Sequence, residues 1–187
     1  MTAAEKLPFT AQDYLDWERQ QATKHEFVQG ETFAMAGAGD AHVTISGNVF
    51  AALKQHLRGT PCRTYIADMK VCAQAVDAYF YPDVFVTCSA ADAQRNDAKE
   101  EPTLVVEVLS PTTAAYDRGL KFEYYRTLPS LQEYVLIDTE RPSVEVFRRN
   151  SAGQWVLYPF GHDTVVELAS VGLTMPMAAV YEDVLQA

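Results

Sequence analysis

Thr103-Leu104-Val105-Val106-Glu107-Val108-Leu109-Ser110 sets the architecture of this chain. Its run of Leu and Val has the pattern of a central strand that is apolar on both faces. Glu107 interrupts that run. A lone carboxylate there costs several kcal/mol unless it is paired, protonated or bound to a metal. Side chains alternate along a strand, so Leu104, Val106 and Val108 point one way and Val105, Glu107 and Leu109 the other. Glu107 therefore shares a face with aliphatic neighbours near the strand's C-terminal end.

The same oddity recurs upstream. Tyr81-Pro82-Asp83-Val84-Phe85-Val86 puts Asp83 in another apolar segment, within a strand predicted over Tyr79 to Cys88. Pro82 interrupts hydrogen bonding beside it, as happens where a sheet opens or bulges at a site. If the two strands are neighbours, Asp83 and Glu107 converge on one hard cation, and such an oxygen site suits Mg2+ or Mn2+. Relieving the repulsion between these acids by Glu107→Ala should then raise stability in the absence of metal. Downstream, Ser110-Pro111-Thr112-Thr113 ends the strand, and a helix is predicted from Tyr116 to Leu128, stopped by Pro129. Asp117, Lys121 and Tyr125 lie four residues apart on it and share one face. From that face Lys121 can reach an activated water or a phosphate. The ordinary alternatives are a strand-end acid reaching solvent and an exposed helical ion pair. The ordered set of three favours a site.

Elsewhere the chain predicts a helix from Ala11 to Gln21, with Thr10 as N-cap and Asp13 completing a capping box. A hairpin follows, His25 to Val28 and Thr32 to Met35 around Gly30. A second helix runs from Ala41 to Leu57, capped by Asp40 and ended by Gly59. Strands are expected at Arg63 to Ala67, Lys70 to Gln74, Glu133 to Asp138, Val144 to Arg148, Gln154 to Phe160 and Val165 to Leu168, and a closing helix at Ala178 to Leu185. Ser89 to Glu101 reads as an exposed loop. With no repeat and no long linker, the whole chain, 1–187, is one mixed α/β (α+β) domain with one central sheet flanked by helices.

Composition narrows the functional classes. A hydrophobic share of 48% excludes a disordered chain, and no apolar run is long enough to cross a membrane. The N-terminal segment lacks the apolar core of a signal peptide, so a cytoplasmic location is expected. Cys62, Cys72 and Cys88 are odd in number and form no paired motif, which points to neither a disulfide framework nor a zinc site. The net charge of -10 provides no global attraction for a phosphate backbone. Nucleic-acid contact would need a local patch, for which Lys70, Arg118, Lys121 and Arg126 are candidates, or a basic surface built by a homodimer. Arg148-Arg149 reads as a solvated hairpin end.

The order Pro82-Asp83, then Glu107-Val108-Leu109, then Lys121 resembles the PD-(D/E)XK nuclease superfamily. More narrowly, the chain resembles the Uma-type restriction-endonuclease family, a domain of unknown function. Pro102 to Pro111, then Asp117, Lys121, Tyr124 and Tyr125, then Glu133 to Asp138 carry that resemblance, with Glu26, Gly30, Glu31 and His42. It covers most of the chain, roughly Thr10 to Tyr181. The resemblance implies a restriction-endonuclease-like core, magnesium dependence and DNA as the substrate. One departure stands out: Leu109 occupies the superfamily's lysine position, and the resemblance to the Uma-type family implies that Lys121 takes that role from the helix. By the same resemblance Glu26 is a further metal ligand, its alternative being an exposed strand acid. His42 is either a contact for phosphate or metal, or a satisfied histidine in a first helical turn. A second class of function is a nuclease-fold binding or assembly protein without cleavage, and RNA or another phosphate ester is an alternative substrate.

Overall fold

The structure, a computed structural model, describes residues 9–35 and 37–184. The segment read for a signal peptide and the expected helix end at Leu185 lie outside the described residues. In chain order the elements are α1 (Ala11–Glu18), β1 (His25–Val28), β2 (Glu31–Ala34), α2 (Asp40–His56), β3 (Arg63–Ile66), β4 (Lys70–Ala73), β5 (Ala78–Phe80), β6 (Val84–Thr87), β7 (Ala98–Lys99) and β8 (Pro102–Leu109). A composite helix follows: α3 (Ala114–Tyr116), a π turn over Asp117–Lys121, and α4 (Phe122–Tyr125). Then come β9 (Glu133–Asp138), β10 (Val144–Arg149), β11 (Trp155–Phe160), β12 (Val165–Leu168), β13 (Leu173–Pro176) and α5 (Met177–Val180).

Among the described residues the expected central mixed sheet is present, and the remaining strands form two further sheets. The main sheet has six strands in the order β11-β10-β9-β8-β6-β3, and a five-stranded sheet runs β2-β1-β5-β4-β7. β12 and β13 make a separate ribbon. Within the main sheet β8 and β9 are parallel, joined by the composite helix as a crossover, and β8 is antiparallel to β6. The strand predicted over Tyr79 to Cys88 is two strands in two sheets. Pro82 has no N–H to give a ladder, and the chain leaves one sheet at Phe80 and joins the other at Val84.

The alternation read from β8 divides two cores. Leu104, Val106 and Val108 pack with Ile45, Val49 and Leu53 of α2 and with the β12–β13 ribbon. Val105 and Leu109 pack with Phe80, Phe85, Phe122 and Tyr134, so the five-stranded sheet and the composite helix cover that face. Each such aliphatic side chain contributes about 1.5–3 kcal/mol when fully buried. β8 is thus the shared wall of both cores, and Glu107 faces the second.

Local chemistry explains the element ends. Thr10 and Asp13 form the expected capping box, with Asp13 N donating to Thr10 Oγ1 at 3.2 Å and Thr10 N donating to Asp13 Oδ2 at 2.9 Å. Gly39, rather than Asp40, caps α2, and Asp40 sits in its first turn. The hairpin turns on Gln29 and Gly30, both in the left-handed region. Ser89 to Glu101 is anchored, not loose. Asp92 is fully buried and accepts from Thr87 Oγ1 at 2.8 Å, Glu100 N at 2.9 Å and Glu101 N at 3.0 Å. Cys62 and Cys88 are joined by a disulfide, contrary to expectation, because pairing of Arg63 with Thr87 in β3 and β6 brings the flanking cysteines opposite each other. Cys72 is free and buried.

Candidate active site

Pairing of β6 with β8 provides the first half of the site. Val84 stands opposite Val106, so Asp83, one residue before β6, reaches the level of Glu107. The Asp83 carboxylate replaces the missing ladder: Val108 N donates to its Oδ2 at 2.7 Å. His42, in the first turn of α2, brings Nε2 within 3.2 Å of the same oxygen. The Asp83 side chain keeps 19% of its surface exposed, which makes it the solvent side of the site.

The composite helix provides the second half. Asp117 opens the π turn and Lys121 closes it, and π turns are often found at functional sites. Lys121 Nζ is 2.9 Å from Glu26 Oε1, 3.0 Å from Glu107 Oε1 and 3.7 Å from Asp117 Oδ1. One turn on, the Tyr125 hydroxyl donates to Glu107 Oε1 at 3.2 Å. Tyr134, from β9, donates its hydroxyl to the Asp117 carbonyl at 2.9 Å. Glu26, Glu107, Asp117 and Lys121 are all buried. The expected helix face is therefore real, and it looks onto Glu107.

The charge balance is uneven. Glu26, Glu107 and Asp117 surround one ammonium, while Asp83, on the exposed side, pairs with His42. Burial pushes the Glu107 carboxyl well above its usual range; Lys121 opposes this, and Asp83, Asp117 and Glu26 add to it. Burial also raises Asp117, again against the pull of Lys121. Burial draws Lys121 down, but Glu107, Glu26 and Asp117 outweigh it and hold the ammonium well above its ordinary value. Burial lowers His42, yet the hydrogen bond and charge of Asp83 leave it raised. The lysine is held in its charged form by these neighbours, and the buried carboxyl groups outnumber the ammonium they share.

These residues suit a hard divalent cation in their donor chemistry, which is all carboxylate oxygen. Asp83 stands at the exposed side and Glu107 behind it. Among the described residues no three of His, Cys, Asp or Glu form a ready-made metal cluster. Glu26 is turned to Lys121 Nζ and accepts from Tyr81 N at 3.3 Å, so here its partner is the ammonium. The fit is thus to a site with few protein ligands and several waters, as Mg2+ accepts.

The seven residues expected at the site lie together here: Asp83, Glu107, Lys121, Glu26, Asp117, Tyr125 and His42. The basic candidates do not all join them. Arg118 pairs with Glu145, Arg126 stacks over Phe122 and Lys70 lies over the Tyr81 ring. Arg148 is not a solvated hairpin end, since it bonds the buried Glu133 at 2.7 Å. Sequence reasoning missed Glu18, Tyr81 and Tyr134. Tyr81 abuts the Pro82-Asp83 signal, whereas Glu18 carries no local mark. Among the described residues no helix is long and apolar enough to cross a membrane.

Comparison with known proteins places this geometry in context. The model of one family, Uma2, described as "Putative restriction endonuclease", matches residues 11–178. The uncharacterized protein slr1290 of Synechocystis sp. is 36% identical over 170 residues, covering 91% of this chain and 90% of that protein. The uncharacterized protein sll1609 of the same organism is 36% identical over 159 residues, covering 84% and 90%. In fold, the chain is similar to a crystal structure described as a putative nuclease belonging to DUF820 from Anabaena variabilis, with a TM-score of 0.77, 17% identity, and coverage of 95% of this chain and 100% of that one.

Proposed function

The chain belongs to the Uma2 family, and on that premise we propose that it is a metal-dependent endonuclease that hydrolyses phosphodiester bonds in DNA. The observation that carries this proposal is the buried excess of carboxylates around Lys121, at 2.9 Å from Glu26 and 3.0 Å from Glu107. An excess of buried carboxyl groups over cations is costly, and clusters of this kind gather at functional sites.

In this proposal Asp83 and Glu107 hold Mg2+ or Mn2+, with Glu26 as a further oxygen donor. Such a cation, when bound, offsets negative charge on a phosphate oxygen and acidifies water. The chain's own residues prepare the rest. Val108 N–H and His42 fix the Asp83 carboxylate, leaving its other oxygen to the solvent side. Tyr125 fixes one Glu107 oxygen. Lys121 carries a charge secured by Glu26 and Asp117, and its N–H groups can meet negative charge building on phosphorus. Lys121 thereby takes over the lysine function for which the strand offers only Leu109. A homodimer would supply two sites for two strands, with light scattering in solution as its check.

Supercoiled plasmid incubated with the chelator-cleaned protein tests the proposal directly. Nicking that needs added Mg2+ or Mn2+ and disappears in Glu107→Gln supports it. No nicking, or nicking unchanged in the variant, rejects it. The net charge of -10 favours a second function, a nuclease-fold binding or assembly protein. That alternative gains if partner association survives Glu107→Gln and no cleavage is found.

A further inference from the structure

Glu26 is held where it meets Lys121 by a second buried acid that plays no part in the chemistry above. Glu18, the last residue of α1, has a side chain only 4% exposed. Its Oε1 accepts from His25 N at 2.8 Å and from the Tyr81 hydroxyl at 3.0 Å, and its Oε2 lies 3.1 Å from His25 Nδ1. These are not incidental partners. His25 immediately precedes Glu26 on β1, and Tyr81 N donates to Glu26 Oε1 at 3.3 Å. Glu18 thus grips the backbone on one side of Glu26 and the residue that bonds its carboxylate on the other. Tyr14 braces the same strand end, its hydroxyl donating to the His25 carbonyl at 2.6 Å.

We infer that Glu18 is a positioning residue of the site, acting through His25 and Tyr81 to set Glu26, and through Glu26 to set the Lys121 ammonium. Buried carboxylates are expensive, and pinning an eight-residue helix to a hairpin does not require one, because Tyr14, Phe27 and Tyr79 already stack in that interface. The expense is matched by what Glu18 controls. A shift of Glu26 would release one of the two closest carboxylates from Lys121, and the ammonium would lean toward Glu107. The effect on turnover rests on the nuclease activity proposed above; the effect on Lys121 does not.

The test uses the full chain labelled with 15N. A buried ammonium among carboxylates exchanges protons slowly enough for its own 1H–15N signal, identified by its loss in Lys121→Met. In Glu18→Ala that signal is expected to shift and to exchange faster with water, with kcat lowered about tenfold and KM little changed. Glu18→Gln, whose carbonyl can still accept from His25 N and the Tyr81 hydroxyl, should restore both. Tyr81→Phe removes a single bond and should give a smaller shift, which keeps the test sound if Glu18→Ala does not fold. A Lys121 signal unchanged in folded Tyr81→Phe and Glu18→Ala, with only a lower melting point, would overturn the inference and leave Glu18 as a helix anchor. A displaced signal in a protein whose wild type cuts no DNA would uphold the positioning role and reject the nuclease.

Discussion

Two buried glutamates stand on neighbouring strands, Glu107 on β8 and Glu133 on β9, and the chain keeps them by opposite means. Glu133 is fully buried and fully supplied. It accepts from Arg148 Nε at 2.7 Å, Ala169 N at 3.1 Å, and Ser170 N and Oγ at 2.9 and 2.5 Å. Both of its oxygens have donors, and one guanidinium balances its charge, shared only with the exposed Glu167 at 3.4 Å. Glu107 is also buried, yet its donors among the described residues, Lys121 and Tyr125, meet one oxygen, and its lysine is shared with Glu26 and Asp117. A buried acid with as many donors as it can use is a structural tie between β9, β10 and the turn after β12. A buried acid whose one cation is shared with two other buried acids is under electrostatic strain, a condition common at functional sites.

Breaking each acid in turn should separate the two roles. The largest effect expected is on turnover: Glu107→Gln should lower metal-dependent cleavage about a thousandfold, several kcal/mol of lost transition-state stabilisation. The same change should leave metal-free stability equal or higher, since Gln still accepts from Tyr125 and Lys121 while one surplus charge is gone. Urea denaturation without metal checks the second part. A marked loss of stability there would make Glu107 a structural ion pair like Glu133.

Glu133→Ala should behave in reverse. It strands four donors around a buried space, and breaking such a tie costs about 3–5 kcal/mol. Cleavage per folded molecule should stay at the wild-type level, measured below the variant's melting range. If cleavage falls while stability holds, the division between the two acids is wrong. Lys121→Met should come next, with a loss of about 2 kcal/mol of metal-free stability from the charged hydrogen bonds removed. Its sharper readout is calorimetric titration with Mn2+. Without the ammonium the acids have no cation of their own, so Mn2+ should bind more tightly to Lys121→Met than to wild type. Equal affinity would mean that lysine and metal do not draw on the same carboxylates.

The contrast between the two glutamates also marks how far the sequence could be read. In the sequence both look alike, an acid within or beside an aliphatic strand, Thr103 to Ser110 and Glu133 to Asp138. The face of Glu107 and the face shared by Asp117, Lys121 and Tyr125 were legible because they follow from local periods of two and 3.6 residues. The hairpin, the capping box and most strand positions were legible for the same reason. What separates a tie from a site is the partner set, and partners come from far along the chain: Arg148 and Ser170 for Glu133, Glu26 for Lys121, Glu18 for Tyr81. Pro82 was visible as a break. Whether the chain bulges there or changes sheet depends on the pairing of β5 with β1 and β4, which no local pattern carries. The disulfide of Cys62 and Cys88 was hidden likewise, behind the pairing of β3 with β6.

The smallest expected effect is on the pH profile of stability. The ordinary carboxyl values are 4.5 for Glu107 and 3.8 for Asp117, and the folded protein raises both, chiefly by burial. A carboxyl whose folded value exceeds its unfolded value favours folding while it is protonated. Its contribution is complete below the unfolded value and is lost as pH rises through the folded one. Metal-free wild type should therefore lose stability as pH rises above the ordinary carboxylate range, and Glu107→Gln should lose less over the same span. Urea midpoints taken across that range without metal measure both slopes. Identical slopes in wild type and Glu107→Gln would place the cost of the surplus charge elsewhere, and the two glutamates would then differ in partners but not in energetics.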